Sequence, residues 1–329
     1  MTTTRRALIT ATSLTLAVGA LALPTVAAAQ AYPDRPVKLI VGFPPGTGPD
    51  ILTRLVGQKL EAGLKQSVVV DNRAGAGGQI ATQAVAKSQP DGYTLLVGEV
   101  GSIAIAPPAF SKLPYDPAKE LAVVAEVARS DFLLVVPVQS PHKTVADFVK
   151  AGKASKDSVN FATFGAGTPG HFGGEMLAEQ GGFKVEPIHY RATGDAITAI
   201  VSGQVEGAFV STALGAAQIK GGKMRALATT AKARSPLLPD VPTFTEAGMP
   251  KVDFSAWFAI FAPANTPAPI LEALSKQAVD AAQSAEVKQK LTDAGFTVTG
   301  TSRAEADKMV KSEFPRWAAI VKQSGFKGD

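Results

Sequence analysis

The chain has 329 residues, 46% of them hydrophobic and 19% charged, with a formal net charge of +5 and no cysteine. That length holds more than one core, and the missing cysteines exclude disulfides, thiolate nucleophiles and zinc–thiolate sites. No run of Lys and Arg is interleaved with aromatics, so nucleic acid is not an expected partner.

Residues 1–31 read as a secretory signal peptide. Arg5 and Arg6 precede an uncharged apolar run at 7–23, and the small residues Ala29 and Ala31 form an A-x-A site. The alternative is an N-terminal membrane anchor, for which the run is marginal against a hydrocarbon core of about 30 Å. The stretch 4–9, TRRALI, also fits a twin-arginine signal, so Sec and twin-arginine export both stay open. No lipobox cysteine is present, which excludes a lipid anchor. Removal of this segment, whose only charges are the two arginines, takes the formal charge from +5 to +3.

From residue 32 onward, short apolar runs alternate with amphipathic ones. Strands are expected at 37–43, 67–72 and 93–99, with helices at 49–64 and 78–88. Pro49 suits a first helical turn and Gly63 a helix end. A looser stretch leads to a strand at 132–137. The pattern then repeats: a helix at 144–155, a strand at 159–164, a Gly-rich helix entry, and strands at 185–190, 207–211 and 224–230 with helices between them. A strand at 255–263 and helices at 267–283, 284–294 and 303–324 close the chain. Strand–helix–strand repetition predicts parallel sheets covered on both faces. The apolar stretches 132–137 and 255–263 are the expected crossovers between two α/β lobes, 32–131 plus 256–329 and 132–255. A cleft between such lobes is a favoured ligand site, and a hinge is expected near Val136 and Ala256.

Enzyme signatures are missing. No lysine stands where a P-loop needs one after Gly46, position 51 is Ile where a dinucleotide fingerprint needs glycine, and neither GxSxG nor HExxH occurs. Ser140-Pro141-His142-Lys143 fits S-x-x-K but has no SDN or KTG beside it and reads as a helix-entry turn. His142, His171 and His189 lack metal-ligand spacing, so no metal or cofactor is expected.

Two matching loops remain, VGFPPGTGPD at 41–50 and TFGAGTPGH at 163–171. Each follows an apolar strand and opens a helix, whose N-terminus carries unpaired N–H groups and partial positive charge. Glycines let the backbone close on an anion without a Cβ in the way. In the first loop the candidate ligand residues are Phe43, Pro45, Gly46, Thr47, Gly48 and Asp50. In the second they are Thr163, Phe164, Gly165, Ala166, Gly167, Thr168 and His171. The hydroxyls of Thr47, Thr163 and Thr168 are expected donors. Asp50 reads as a first-turn acid that favours the helix dipole, and Asp195 shares that ambiguity. Arg191 either pairs with a ligand carboxylate or is a surface charge. Gly101, Ser102, Thr193, Val210 and Ser211, at or just beyond other strand ends, complete the candidate set.

The chain resembles the periplasmic solute-binding proteins of tripartite tricarboxylate transporters, the Bug family. The likeness rests on YPDRPVKLIVGFPPG at 32–46, NRAGAGGQIATQAVAKSQPDGYTLLVG at 72–98, KLPYDPAKEL at 112–121, SGQVEGAF at 202–209 and IKGGKMRALATT at 219–230. RSPLLPDVPTFTEAG at 234–248 and SAWFAIFAPANTP at 255–267 extend it over essentially all of the chain after residue 31. It implies a type II periplasmic-binding-protein fold, a carboxylate ligand gripped by the two loops partly through ordered water, no catalysis, a monomer, and a membrane permease as partner. A sensor that passes its closed form to a kinase is the alternative, and an α/β enzyme the remote one. Three departures bear on the ligand. Thr47 stands where many relatives have a second glycine, Phe164 where many have a small residue, and Val210-Ser211 where many have Asp-Asn. Loss of that acid argues against a ligand amino group. The expected ligand is a di- or tricarboxylate or an aromatic acid.

Overall fold

The computed structural model describes residues 32–190 and 192–328. Contacts divide the chain into Met1–Tyr32 and Pro33–Asp329. The expected signal peptide and Arg191 lie outside the described residues. Among those described, no helix is long and apolar enough to cross a membrane.

β1 (Val37–Val41) leads into α1 (Gly48–Leu64), and β2 (Val68–Asn72) into a tight turn (Ala76–Gly78) and α2 (Gln79–Ala86). β3 (Thr94–Glu99) runs into a π-helical turn (Gly101–Ile105) and the short α3 (Ala106–Ala109); α4 (Pro117–Glu120) precedes β4 (Leu121–Ser130). Next come β5 (Phe132–Pro137), α5 (Val145–Ala154), β6 (Val159–Thr163), α6 (Pro169–Gly181), β7 (Val185–His189), α7 (Thr193–Ser202), β8 (Gly207–Ser211), α8 (Thr212–Lys220) and β9 (Met224–Thr229). The chain returns through β10 (Ala256–Pro263), α9 (Ala268–Gln283), α10 (Ala285–Asp293), β11 (Thr297–Thr301) and α11 (Arg303–Ser324).

Two sheets form the cores of two lobes, in the orders β11-β4-β10-β3-β1-β2 and β7-β6-β8-β5-β9. Each contains a parallel trio with its leading strand in the middle, β1 between β2 and β3, and β6 between β7 and β8. Each trio continues through an antiparallel strand, β10 or β5. The sheets are therefore mixed rather than wholly parallel. The equivalence places the loops after β1 and β6 at the same topological position, the C-terminal end of the central parallel strand, where α/β sheets bind ligands.

The strands divide between the sheets at 131/132 and before 256. The stretches 132–137 and 255–263 become interior strands, and Val136 is fully buried and paired with Arg225. The chain leaves the first sheet at Asp131, between β4 and β5, and returns through 230–255. Asp131 is anchored on both sides of this junction. Its carbonyl accepts the Thr212 N–H and hydroxyl, each at 3.0 Å, and its carboxylate accepts the Thr297 hydroxyl at 3.0 Å.

Gly63 does not end α1. The left-handed residue after the helix is Lys65, at φ 55°. A Cβ on Gly63 would lie 1.9 Å from the Gln277 Oε1, so the Gln277 side chain of α9 lies against the α1 backbone here.

Candidate functional site

Asp50 closes the first loop from inside. Its carboxylate, in a residue only 2% exposed, accepts the Gly46 N–H at 2.9 Å, the Asn72 amide at 2.8 Å and the Arg54 guanidinium at 3.0 Å. Asn72, at the end of β2, also donates to the Phe43 carbonyl at 3.0 Å. Burial would raise the Asp50 pKa, but hydrogen bonds from Arg54, Asn72 and Gly46 outweigh it and hold the carboxyl below its ordinary value. Asp50 is thus the loop's internal acceptor, a larger role than a first-turn charge on a helix dipole.

The second loop repeats this construction with another side chain. Gly167 donates its N–H to His171 Nδ1 at 3.2 Å, as Gly46 does to Asp50 four residues on. Both glycines have positive φ, 80° and 72°, where a Cβ would be strained. An N-cap threonine follows each. Its hydroxyl turns back to a carbonyl three residues earlier, Thr47 to Pro44 at 2.7 Å and Thr168 to Gly165 at 2.8 Å. Neither α1 nor α6 therefore has a side-chain cap, although both begin with a proline in the first turn. In α5 and α11 Thr144 and Ser302 form complete capping boxes, whereas Ser284 before α10 also turns its hydroxyl back, to the Ala281 carbonyl at 2.8 Å, without a glycine-rich loop before it. An N-cap threonine ordinarily satisfies a first-turn N–H. Turned away, it leaves those donors and the positive end of the helix dipole to an external anion.

The threonine hydroxyls expected as ligand donors are all engaged within the protein. Thr163 is 1% exposed; its Oγ1 lies 2.7 Å from His189 Nδ1 and donates to the Gly165 carbonyl at 3.3 Å. The donors these loops leave open are backbone N–H groups. Phe43 packs edge-on against Phe258, and Pro45, Gly46 and Ala166 are exposed. Phe164 lies partly buried on the core of the second sheet and is not a freestanding ring. Val210 belongs to that core, and the Ser211 hydroxyl caps α8. Thr193 and Asp195 are exposed in the first turn of α7. His189 escaped sequence reasoning. Its signal was the parallel register Thr163↔His189, which requires knowing that β6 and β7 are neighbours.

The remaining candidates of the first lobe lie near the ends of β1, β2 and β3. A Cβ on Gly42 would lie 2.6 Å from the Gly78 Cα, so the two backbones touch there and glycine is required. Ser102 is buried; its Oγ accepts from Thr82 at 2.9 Å and its carbonyl from the Tyr115 hydroxyl at 2.7 Å. Gly101 donates its N–H to Glu99 at 2.9 Å. Burial pushes the Glu99 carboxyl up to about 7, although the Gly101 N–H opposes the shift. Folded protein keeps this proton up to about 7, while the unfolded chain releases it near 4.5. Between those values the folded state binds more protons, so this group removes stability as pH rises through that window. E99Q is expected to gain stability relative to the unmodified protein between pH 5 and pH 8 in urea unfolding. A difference that does not change with pH would contradict this.

A cavity of about 570 Å³ lies at the junction of the sheets, bounded by Arg129, Asp131, Thr212, Lys232, Asp253 and Phe296 among others. It includes none of the candidate residues. Arg129 there is already paired with Glu126, and Asp131 and Asp253 oppose a carboxylate. The loops are the better anion site on chemical grounds. Among the described residues, no group of three or more His, Asp or Glu is placed to hold a metal ion.

Two lobes, mixed sheets of equivalent topology and paired helix-entry loops define a two-lobed solute-binding protein rather than an enzyme. The model for the tripartite tricarboxylate transporter family receptor, TctC, matches residues 52–326, and the chain belongs to that family. Protein BugT of Bordetella pertussis is 32% identical over 95% of this chain and 95% of its own. MatC of Rhodopseudomonas palustris, solved with bound malate, superposes with a TM-score of 0.76 at 32% identity, covering 88% of this chain and all of MatC. The R. palustris protein Rpa4515, solved with adipate, has a TM-score of 0.80 at 30% identity over 90% and 99% of the two chains. The family and these neighbours are binding proteins, which agrees with the missing enzyme signatures.

Proposed function

We propose that this protein is a periplasmic receptor that captures a small carboxylate lacking an amino group, a di- or tricarboxylate or an aromatic acid. It delivers that ligand to a tripartite tricarboxylate permease. The observation that carries this reading is the pair of glycine-rich helix entries at equivalent positions of the two sheets, each with an uncapped first turn and an internal acceptor for its loop glycine. Two such entries suit a ligand with acceptor oxygens at both ends. Bound malate and adipate in the related proteins are of that chemistry. No acid stands at Val210 or Ser211 to receive an ammonium group, and Ser211 Oγ is committed to α8. The export signal expected at 1–31 and the periplasmic relatives support the location.

A thermal-shift screen tests this. A ligand at 100 times its dissociation constant is expected to stabilise the folded protein by about 2.7 kcal/mol. Dicarboxylates without amino groups are expected to give the largest shifts. Glutamate or aspartate as the best ligands, with no response to malate, succinate, adipate or benzoate, would contradict the proposal.

A further inference from the structure

The segment after α11 is tied to the first lobe and meets the second through the ring of Phe326. Gly328 pairs with Phe110 beyond α3 and donates its N–H to the Ala109 carbonyl at 2.7 Å. This fixes Phe326, whose ring stands edge-on to Phe110 at 6.4 Å, to Phe172 at 5.8 Å and to His171 at 5.1 Å. The Cβ position of Gly167 lies within 3.6 Å of both the Phe110 and Phe326 rings. An aromatic wall carried by the first lobe is therefore seated against the second loop and its anchor.

His171 anchors that loop only when its Nδ1 is unprotonated, because the nitrogen accepts the Gly167 N–H. We propose that Phe326 is a positioning residue for the second binding loop: by covering the imidazole it keeps His171 neutral and Gly167 in its binding conformation. Burial, with a smaller contribution from His189, pushes the His171 pKa down to about 4. The titratable group facing it is His189 on β7, itself acted on by Glu186 on the same strand; Phe110, Phe172 and Phe326 contribute no charge. Removing the Phe326 ring hydrates the imidazole and lets it protonate at higher pH, which breaks the acceptor.

The inference rests on the carboxylate reading for its functional consequence, but its test does not. The chain has three histidines, so ring titrations by NMR are resolvable. In the unmodified protein His171 is expected to titrate near 4, far below the ordinary 6.5. Phe326→Ala is expected to raise that midpoint by about one unit or more, while Phe326→Leu, which still covers the ring, leaves it low. The pH at which carboxylate affinity falls is expected to move upward with the ring titration in the alanine variant. A His171 midpoint near 6.5 in the unmodified protein, or one that stays low in Phe326→Ala, overturns the inference. So does an affinity loss in Phe326→Ala with the same pH midpoint as before. If no carboxylate binds at all, the carboxylate reading fails, and the ring titration alone decides the role of Phe326.

Discussion

Replacing Glu313 with alanine is expected to lower the unfolding free energy by about 3–5 kcal/mol. Glu313, on α11, is a buried carboxylate whose Oε2 accepts both indole N–H groups of the chain, Trp257 from β10 at 3.0 Å and Trp317 at 2.8 Å. Its Oε1 accepts from Arg316 at 2.9 Å. Trp257 and Trp317 are at most 1% exposed, so neither indole can turn to water when the acceptor is lost. Each unsatisfied buried donor costs about 1–3 kcal/mol, and the vacated space adds a cavity penalty. Glutamine retains one carbonyl for the indoles and loses the charge that holds Arg316, so E313Q is expected to cost only about 1–2 kcal/mol. Urea unfolding followed by tryptophan fluorescence checks both, and the signal comes from the affected residues because the chain has two tryptophans. A loss below about 1 kcal/mol in E313A would show that α11 does not depend on this junction.

Asp50→Ala is expected to weaken carboxylate binding by on the order of 10–100-fold and to lower stability by about 2 kcal/mol. The carboxylate does not face an anion as a repelling charge. It holds Gly46 at its positive φ, and it holds Arg54 and Asn72 beside the loop. Without it the loop must be ordered at the expense of binding energy. Asp50→Asn separates this account from simple repulsion. A repelling carboxylate, once neutralised, would tighten binding; a carboxylate that accepts from Arg54 and Gly46 weakens binding when neutralised. Because the Asp50 pKa is depressed, its contribution is present above the ordinary carboxylate range and is lost as pH falls through the folded value. Calorimetric titration of a dicarboxylate at pH 7 against the three proteins checks the order: unmodified tightest, then Asn, then Ala.

Much of this fold is legible in the sequence. The inner strands of the parallel trios show themselves as VKLIV, TLLVG, VNFAT and GAFVS, because strands buried on both faces need mostly apolar runs, while the edge strands VVVDN and VEPIH are short β-branched runs between turn signals. The two loops were legible because Gly, Pro and Thr sit between strand and helix. β4 was not, since Glu126 and Arg129 break its apolar run. In the fold Glu126 is 2% exposed and bonded to Arg129, so the pair neutralises itself inside the sheet. β11, TVTGT, is an edge strand with Gly300 at φ 55° and has too little apolar character to declare itself. The apolar stretches 132–137 and 255–263 show themselves as strands, β5 of one sheet and β10 of the other, and the passage between the sheets falls on a polar residue, Asp131.

At the site, residue types were legible and their partners were not. Nothing local shows that Asp50 bonds Asn72, twenty-two residues away, or that Thr163 meets His189 across a strand register. The threonines illustrate the limit. Sequence marks them as hydroxyl donors at helix starts, but only the backbone path shows that Thr47 and Thr168 turn back to Pro44 and Gly165 and leave the helix ends open.

The central claim is that one carboxylate ligand is held by the open first turns of α1 and α6. A crystal structure with a bound dicarboxylate tests it most directly. The account predicts carboxylate oxygens within hydrogen-bond distance, about 2.7–3.2 Å, of backbone N–H groups in 46–50 and 165–170, directly or through one water. Asp50 and His171 should still accept from Gly46 and Gly167. A ligand seated instead in the junction cavity beside Arg129 and Lys232, with both loops empty, would contradict it.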